Sequence, residues 1–493
     1  MQPSPPASLA RVLGPWMATA IVIGTVIGSG VFKKARNVAD NVPEFGLAMG
    51  AWVLVGLLAL LGALAIAEVA VLFPRAGGNY VFLREAYGRM AGFLWGWVDF
   101  WIIRAASIAA LATMFSESFH DVLKQSLQAG HSDMLPFWPR QALTVCVIAV
   151  LAAVNARGTR LGGLLQLVVT IVKVGSLLFL AVLPFAVYAA VAEPQAPPSI
   201  EYLKPTWPAD WSLVNWGNFG AAMVGVIWAY HGWMNIGMMA GEVKNPQRNI
   251  PLALMLGIGV LIALYCSANA AYYLVIPRAE LAATPEDTTV ATVFCSRLLG
   301  PVGVLIASAI VMTSVFGSLN GNLLAGPRLL FAMGQDGLAP RRMQDLHPRY
   351  ATPAFATLTV AAWSCLLVLI GAAMTRFHLP TLPLGLFDLD INLPTGKQPF
   401  DVFTDFAVFG ATTFETLAVA SIFVFRWKIP PTAENRPYRC WGYPVLPIIY
   451  VAILALIVAN MFVTRQQRSE ALIGLGFIAV GAAVYGALFW RRR

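Results

Sequence analysis

Residues 16–32 read WMATAIVIGTVIGSGVF, an apolar run broken by Gly24, Gly28 and Gly30. Glycine costs roughly 1 kcal/mol per helix position relative to alanine, so its recurrence in an otherwise good helix needs a reason. Three reasons compete. A phosphate-binding loop would need a preceding strand and a following Lys-Ser/Thr, and neither is present. Close helix packing would explain the small-xxx-small spacing of Gly24 and Gly28. An unwound hinge at Gly28-Ser29-Gly30 would free backbone N–H and C=O groups at membrane depth, tolerable only beside a cavity.

A second interrupted run selects the hinge. Residues 228–235 read WAYHGWMN, placing His231-Gly232 and Asn235 midway along the sixth apolar stretch, five after the first. Two such breaks five spans apart mark two inverted five-helix repeats, in which half-helix N-termini face an anionic group and freed carbonyls face a cation. A zwitterionic amino acid carries both charges, as do other small zwitterions.

The rest of the chain agrees. Of 493 residues, 58% are hydrophobic and 12% charged, too apolar for a soluble fold of this length. Twelve runs of spanning length occur, at 14–34, 46–72, 89–119, 137–156, 160–190, 213–240, 251–276, 301–332, 353–374, 403–426, 444–463 and 470–490. Backbone crossing hydrocarbon must satisfy itself, so the fold class is all-α transmembrane with twelve helices. The expected organisation is a tail and first repeat over 1–190, a second repeat over 191–428, and two further helices with a basic tail over 429–493, all in one membrane domain.

The net charge of +9 does not indicate nucleic acid. With the N-terminus inside, nineteen Lys/Arg and five Asp/Glu fall on the cytoplasmic side against twelve and fifteen outside, which orients both termini to the cytoplasm. The longest polar stretches, 190–212, 277–300 and 375–402, then lie outside. Cys146, Cys266, Cys295, Cys365 and Cys440 are scattered, without metal-ligand spacing, and read as small core residues; no metal or cofactor is expected. The first residues lack the basic region and cleavage site of a signal peptide. HExxH and GxSxG are absent, against an intramembrane enzyme.

Six stretches carry a resemblance: GTVIGSGVF at 24–32, AEVAVLFPRAGGNYVFLREAYG at 67–88, WIIR at 101–104, GEVKNPQRNIP at 241–251, FGSLNGNLLAGPRLLFAMGQDGLAP at 316–340 and RPYRCWGYP at 436–444. Together they resemble the L-type amino acid transporter family, a branch of the amino acid, polyamine and organocation superfamily, from about residue 14 to 465. The resemblance implies the five-plus-five inverted repeat with two added helices. It also implies sodium-independent amino acid transport, often as obligatory exchange. A proton-coupled amino acid or polyamine symporter of the same superfamily is the alternative, and a channel a further one. Eukaryotic members join a glycoprotein through a cysteine between spans 3 and 4; the loop HDVLKQSLQAGHSDMLPFWPR has none, so no disulfide-linked heavy chain is expected and a bacterial inner-membrane protein is. His231 stands where eukaryotic members usually have Gly, which bears on substrate preference.

By that resemblance the substrate carboxylate meets the N–H groups of Gly28, Ser29 and Gly30, and its amine meets carbonyls of Val26, Trp228, Ala229 and His231. Trp228, with Trp233 beside the break, is read as a lid over the substrate, against lipid or core contact. Asn322, Ala411 and Glu415 are possible pocket residues. Lys173 lies 13 residues past Arg160, about 20 Å along its helix and beyond snorkelling reach, so a functional role is expected of it. In the family a lysine here bridges the broken first helix and the eighth, where sodium-coupled relatives hold an ion; Ser318 is the expected partner. Asp99 and Arg104, five apart and about 140° around an α-helix, are expected to brace different neighbours rather than pair. Glu68 is expected to be structural.

Overall fold

The computed structural model describes residues 9–127, 134–190, 197–285, 288–376, 382–383, 388–389, 399–429, 437–463 and 465–489. The basic tail at 491–493 lies outside them. Span 1 is bent by 42° between Pro15–Val26 and Gly30–Asn41. Spans 2 to 5 are Phe45–Leu72, Arg89–Ser126, Phe137–Ala156 and Thr159–Ala190. Span 6 is broken into Trp216–Tyr230 and the short Asn235–Met238. Spans 7 to 9 are Pro246–Val275, Pro301–Gln335 and Ala354–Arg376. Spans 10 to 12 are Pro399–Lys428, Val445–Val463 and Arg465–Phe489. Ten of these are unbroken and apolar enough to cross a membrane, and bent span 1 makes eleven. Span 6 is the expected twelfth, too interrupted to qualify by length because its longer piece has only 15 residues.

Similar compositions have two destinations. In spans 2 and 3, 72% of the central window is buried inside the protein, against 28% in span 4 and 17% in span 12. Helices apolar all round enter a core or face lipid, and here spans 4 and 12 form the periphery around an inner group. Among the described residues, extended pairing is confined to a two-residue ladder, Leu382–Pro383 with Asp388–Leu389, and a bridge of Leu13 to Val243.

Four expectations change. Asp99 and Arg104 do pair, at 3.0 Å, because residues Asp99–Arg104 form a π-helical turn. In that wider turn residues five apart share a face, which the α-helical angle misjudges. Arg328, counted among cytoplasmic charges, is fully buried; its Nε donates to Glu242 at 2.7 Å and its Nη2 to Thr159 at 2.7 Å. The polar stretch 277–300 is not merely loop, for it contains the helices Arg278–Ala282 and Val290–Leu299. Of the five cysteines, all free, only Cys295 and Cys440 are buried, and Cys146 is exposed.

Candidate functional site

The breaks in spans 1 and 6 face each other. Thr25 Oγ1 lies 3.1 Å from the Gly232 carbonyl oxygen. The Tyr265 hydroxyl of span 7 stands 3.1 Å from the Val26 oxygen and 3.0 Å from the Ala229 oxygen, and its one proton is shared between the two halves of the site. Gly30 is required by this approach: a Cβ there would lie 2.4 Å from Ala229 Cα. The three span 1 glycines therefore divide their tasks. Gly24 is a packing glycine, since a Cβ would meet Gln166 and Thr170 of span 5 at 2.2 Å, whereas Gly28 and Gly30 form the break.

Every carbonyl from Gly24 to Gly28 faces a side-chain donor. Lys173 Nζ is 2.8 Å from Gly24 O and 2.7 Å from Ile27 O, and 3.3 Å from Ser318 Oγ. Ser318 Oγ reaches Ile27 O at 2.8 Å and Thr25 O at 3.2 Å, and Ser314 Oγ reaches Gly28 O at 3.1 Å. Lys173 is 1% exposed. Three neutral oxygens surround its Nζ, the arrangement of a small cation site with an amine nitrogen at its centre. Gly317 makes room for it, because a Cβ there would lie 2.6 Å from Lys173 Cε.

Across the break the amides of Gly28, Ser29 and Gly30 precede the first bonds of the second half-helix, Phe32 N to Ser29 O at 3.2 Å and Lys33 N to Ser29 O at 3.1 Å. They open on a cavity of about 30 Å³ that Val26, Trp228, His231, Ser318 and Asn322 also line. That is the room of one water molecule, so anything larger enters only when the walls part. A second cavity of similar size lies behind His231, lined by Tyr230, Trp233 and Glu415. His231 belongs to both, stacked on Trp228 with ring centres 6.0 Å apart and its Nδ1 3.2 Å from Glu415. Trp228 and Trp233 are buried, which removes lipid contact as their explanation.

The remaining candidates separate. Asn322 is held from both ends: Arg104 Nη1 donates to its Oδ1 at 2.6 Å, and its Nδ2 donates to Ser318 O at 2.9 Å. Arg104 Nη2 also reaches Asn235 of the second half of span 6 at 3.2 Å, so the π turn ties spans 3, 6 and 8 together. Ala411 is buried but lines neither cavity. Glu68 accepts from Arg426 and from the Cys440 amide, both at 2.7 Å, a structural clasp between span 2 and the approach to span 11. Sequence reading missed Ser107, a buried hydroxyl on the first cavity with no hydrogen-bond partner, and also Tyr265, Thr25 and Ser314. Among the described residues no group of three or more His, Cys, Asp or Glu is placed to hold a metal ion.

Comparison with known proteins agrees with this architecture. The chain is 28% identical over 483 residues to the serine/threonine exchanger SteT of Bacillus subtilis (strain 168), covering 96% of both chains. To the human b(0,+)-type amino acid transporter 1 it is 29% identical over 359 residues, 71% of this chain and 68% of that one. To the human cystine/glutamate transporter it is 25% identical over 477 residues, 96% and 84% of the two chains. A multi-pass membrane protein with two facing broken helices, matched to the amino acid permease family over residues 13–485, belongs to that family.

Proposed function

We propose that the protein exchanges amino acids across the membrane without sodium. The observation that carries this reading is Lys173, whose ammonium lies among Gly24 O, Ile27 O and Ser318 Oγ. With Nζ seated there no room is left for a coupling ion, and transport down or against one gradient is then driven by the counter-moving substrate. The substrate carboxylate docks on the amides of Gly28, Ser29 and Gly30, where the half-helix dipole favours an anion. Its amine displaces the Tyr265 hydroxyl from Val26 O and Ala229 O. Trp228 covers it, and His231 with Glu415 meets its side chain.

The same reading takes 1–190 and 191–428 as the two inverted repeats, with both termini cytoplasmic in a bacterial inner membrane and no disulfide-linked partner. On that orientation the structure is closed inside: Leu13 N donates to Glu242 O at 2.9 Å and Lys244 N to Leu13 O at 2.8 Å, sealing the seam between spans 1 and 6. The test is uptake of each labelled amino acid into proteoliposomes loaded with unlabelled ones, with sodium replaced by choline. Trans-stimulated, sodium-indifferent uptake is expected; sodium-dependent uptake, or uptake indifferent to internal substrate, overturns the proposal.

A further inference from the structure

On the same face as that seam, the segment ahead of span 1, the start of span 5 and the link between spans 6 and 7 enclose a cavity of about 430 Å³. Its wall carries three cations, Arg11, Arg160 and Lys244, and no acid. The carboxylate nearest in sequence to Lys244, Glu242, is committed to buried Arg328 at 2.7 Å. Three like charges around one space repel one another until an anion enters. The rest of the wall is apolar and includes Trp16, which is 72% exposed, and Leu167. Beyond Arg160, span 5 continues outward as Leu161, Leu164, Val168 and Ile171, all between 48% and 64% exposed. Their three- and four-residue spacing puts them on one helix face.

We propose that this cavity binds the headgroup of an anionic phospholipid, its phosphate between the three cations and its acyl chains along that face of span 5. A phosphate suits the three cations equally well when free in solution. The lipid is favoured because the cavity adjoins an exposed apolar face of spanning helix, with an indole at its rim where tryptophan anchors at membrane interfaces. Arg11 precedes Leu13 and Lys244 follows Val243, so one headgroup joins the two sides of the inner seam and also Arg160. Opening the seam separates the cations. The lipid therefore binds the inner-closed conformer more tightly and shifts the population towards it.

The purified protein is placed in nanodiscs of phosphatidylcholine alone and of phosphatidylcholine with phosphatidylglycerol, and compared with the Arg11→Gln/Arg160→Gln/Lys244→Gln variant. Native mass spectrometry should find phosphatidylglycerol retained in preference to phosphatidylcholine by the wild type. Its thermal midpoint should rise by several degrees with the anionic lipid. The variant should match the wild type in phosphatidylcholine and lose both responses. Equal retention by the variant, or no lipid preference in the wild type, overturns the proposal. So does a midpoint raised equally by inorganic phosphate in neutral discs, which would assign the cavity to a soluble anion. If the triple variant fails to fold, Arg160→Gln alone should weaken the preference severalfold, and an unchanged preference counts against the site. Neither readout depends on transport, so the outcome is separate from that of the exchange assay.

Discussion

The two broken spans are held in different ways. At the span 1 break the carbonyls of Gly24, Thr25, Ile27 and Gly28 face donors from spans 5 and 8, and one donor is the buried amine of Lys173, with no acid among the groups it touches. At the span 6 break, Gly232 O faces Thr25 of span 1, Ala229 O faces Tyr265 of span 7, and His231 faces Glu415 of span 10. The first break is anchored to a platform that is itself cross-linked, since Asn320 joins span 8 to Gln166 of span 5 and Asn155 of span 4 at 2.8 and 2.9 Å. The sixth is anchored chiefly to the first and to span 7. Spans 1 and 6 are thus bonded to each other as a pair, and the Lys173 cluster joins that pair to the platform together with the π-turn arginine, Thr170 on Ala20 O at 3.1 Å and Arg328 on Glu242 at 2.7 Å.

Cutting the tie should have the largest effect. Lys173→Ala leaves the carbonyls of Gly24, Thr25, Ile27 and Gly28 to share the hydroxyl protons of Ser318 and Ser314, a loss of about 1–3 kcal/mol for each oxygen then left unsatisfied. The inner-open population should rise and exchange slow by about tenfold or more. Gly317→Ala should reproduce part of this while leaving the lysine in place, because the added methyl occupies the space of Lys173 Cε. Uptake rates in proteoliposomes, with sodium and with choline, measure both. A Lys173→Ala variant exchanging at the wild-type rate would end the argument that the two breaks differ in kind.

Next comes the contact within that pair. Gly30→Ala places a methyl against Ala229 Cα, and overpacking of this kind costs about 1–3 kcal/mol. Because it pushes spans 1 and 6 apart at the carboxylate site, substrate affinity should fall about tenfold or more while the protein still inserts. Gly30→Leu should abolish binding. Binding by scintillation proximity reads the effect, and normal affinity in the alanine variant would detach Gly30 from the site. Trp228 follows. Trp228→Ala removes both the cover and the stack on His231 and should raise KM about tenfold, whereas Trp228→Phe should keep most uptake. Equal KM values for the two would refute the lid.

The residues behind these predictions were unequally visible in the sequence. Glycine clusters and a His-Gly pair inside apolar runs mark breaks because they violate helix propensity, and Lys173 is conspicuous because a charge far from either helix end has few innocent explanations. The π turn at Asp99–Arg104 leaves no such mark, since its sequence DFWIIR is ordinary and the angle between residues depends on the turn itself. Tyr265, Thr25, Ser314 and Ser107 are single polar residues in apolar helices. A hydroxyl can satisfy itself on its own helix, as Thr25 also does on Ile21 O at 2.6 Å, so its presence says nothing about a partner on another span.

Ser107 gives the smallest predicted effect and the cleanest separation of site from scaffold. Its hydroxyl is buried on the wall of the first cavity and bonds no other described residue. It ties no second element down, so Ser107→Ala should leave thermal stability nearly unchanged, unlike Lys173→Ala, which should lower it. If the hydroxyl meets the substrate once the cavity opens, the variant also loses one hydrogen bond, about 0.5–1.5 kcal/mol, and KM should rise about two- to tenfold with the maximal rate nearly unchanged. A raised KM with stability intact is hard to obtain from a packing defect. Lower stability together with an unchanged KM would place Ser107 in the scaffold and remove it from the proposed surroundings of the substrate.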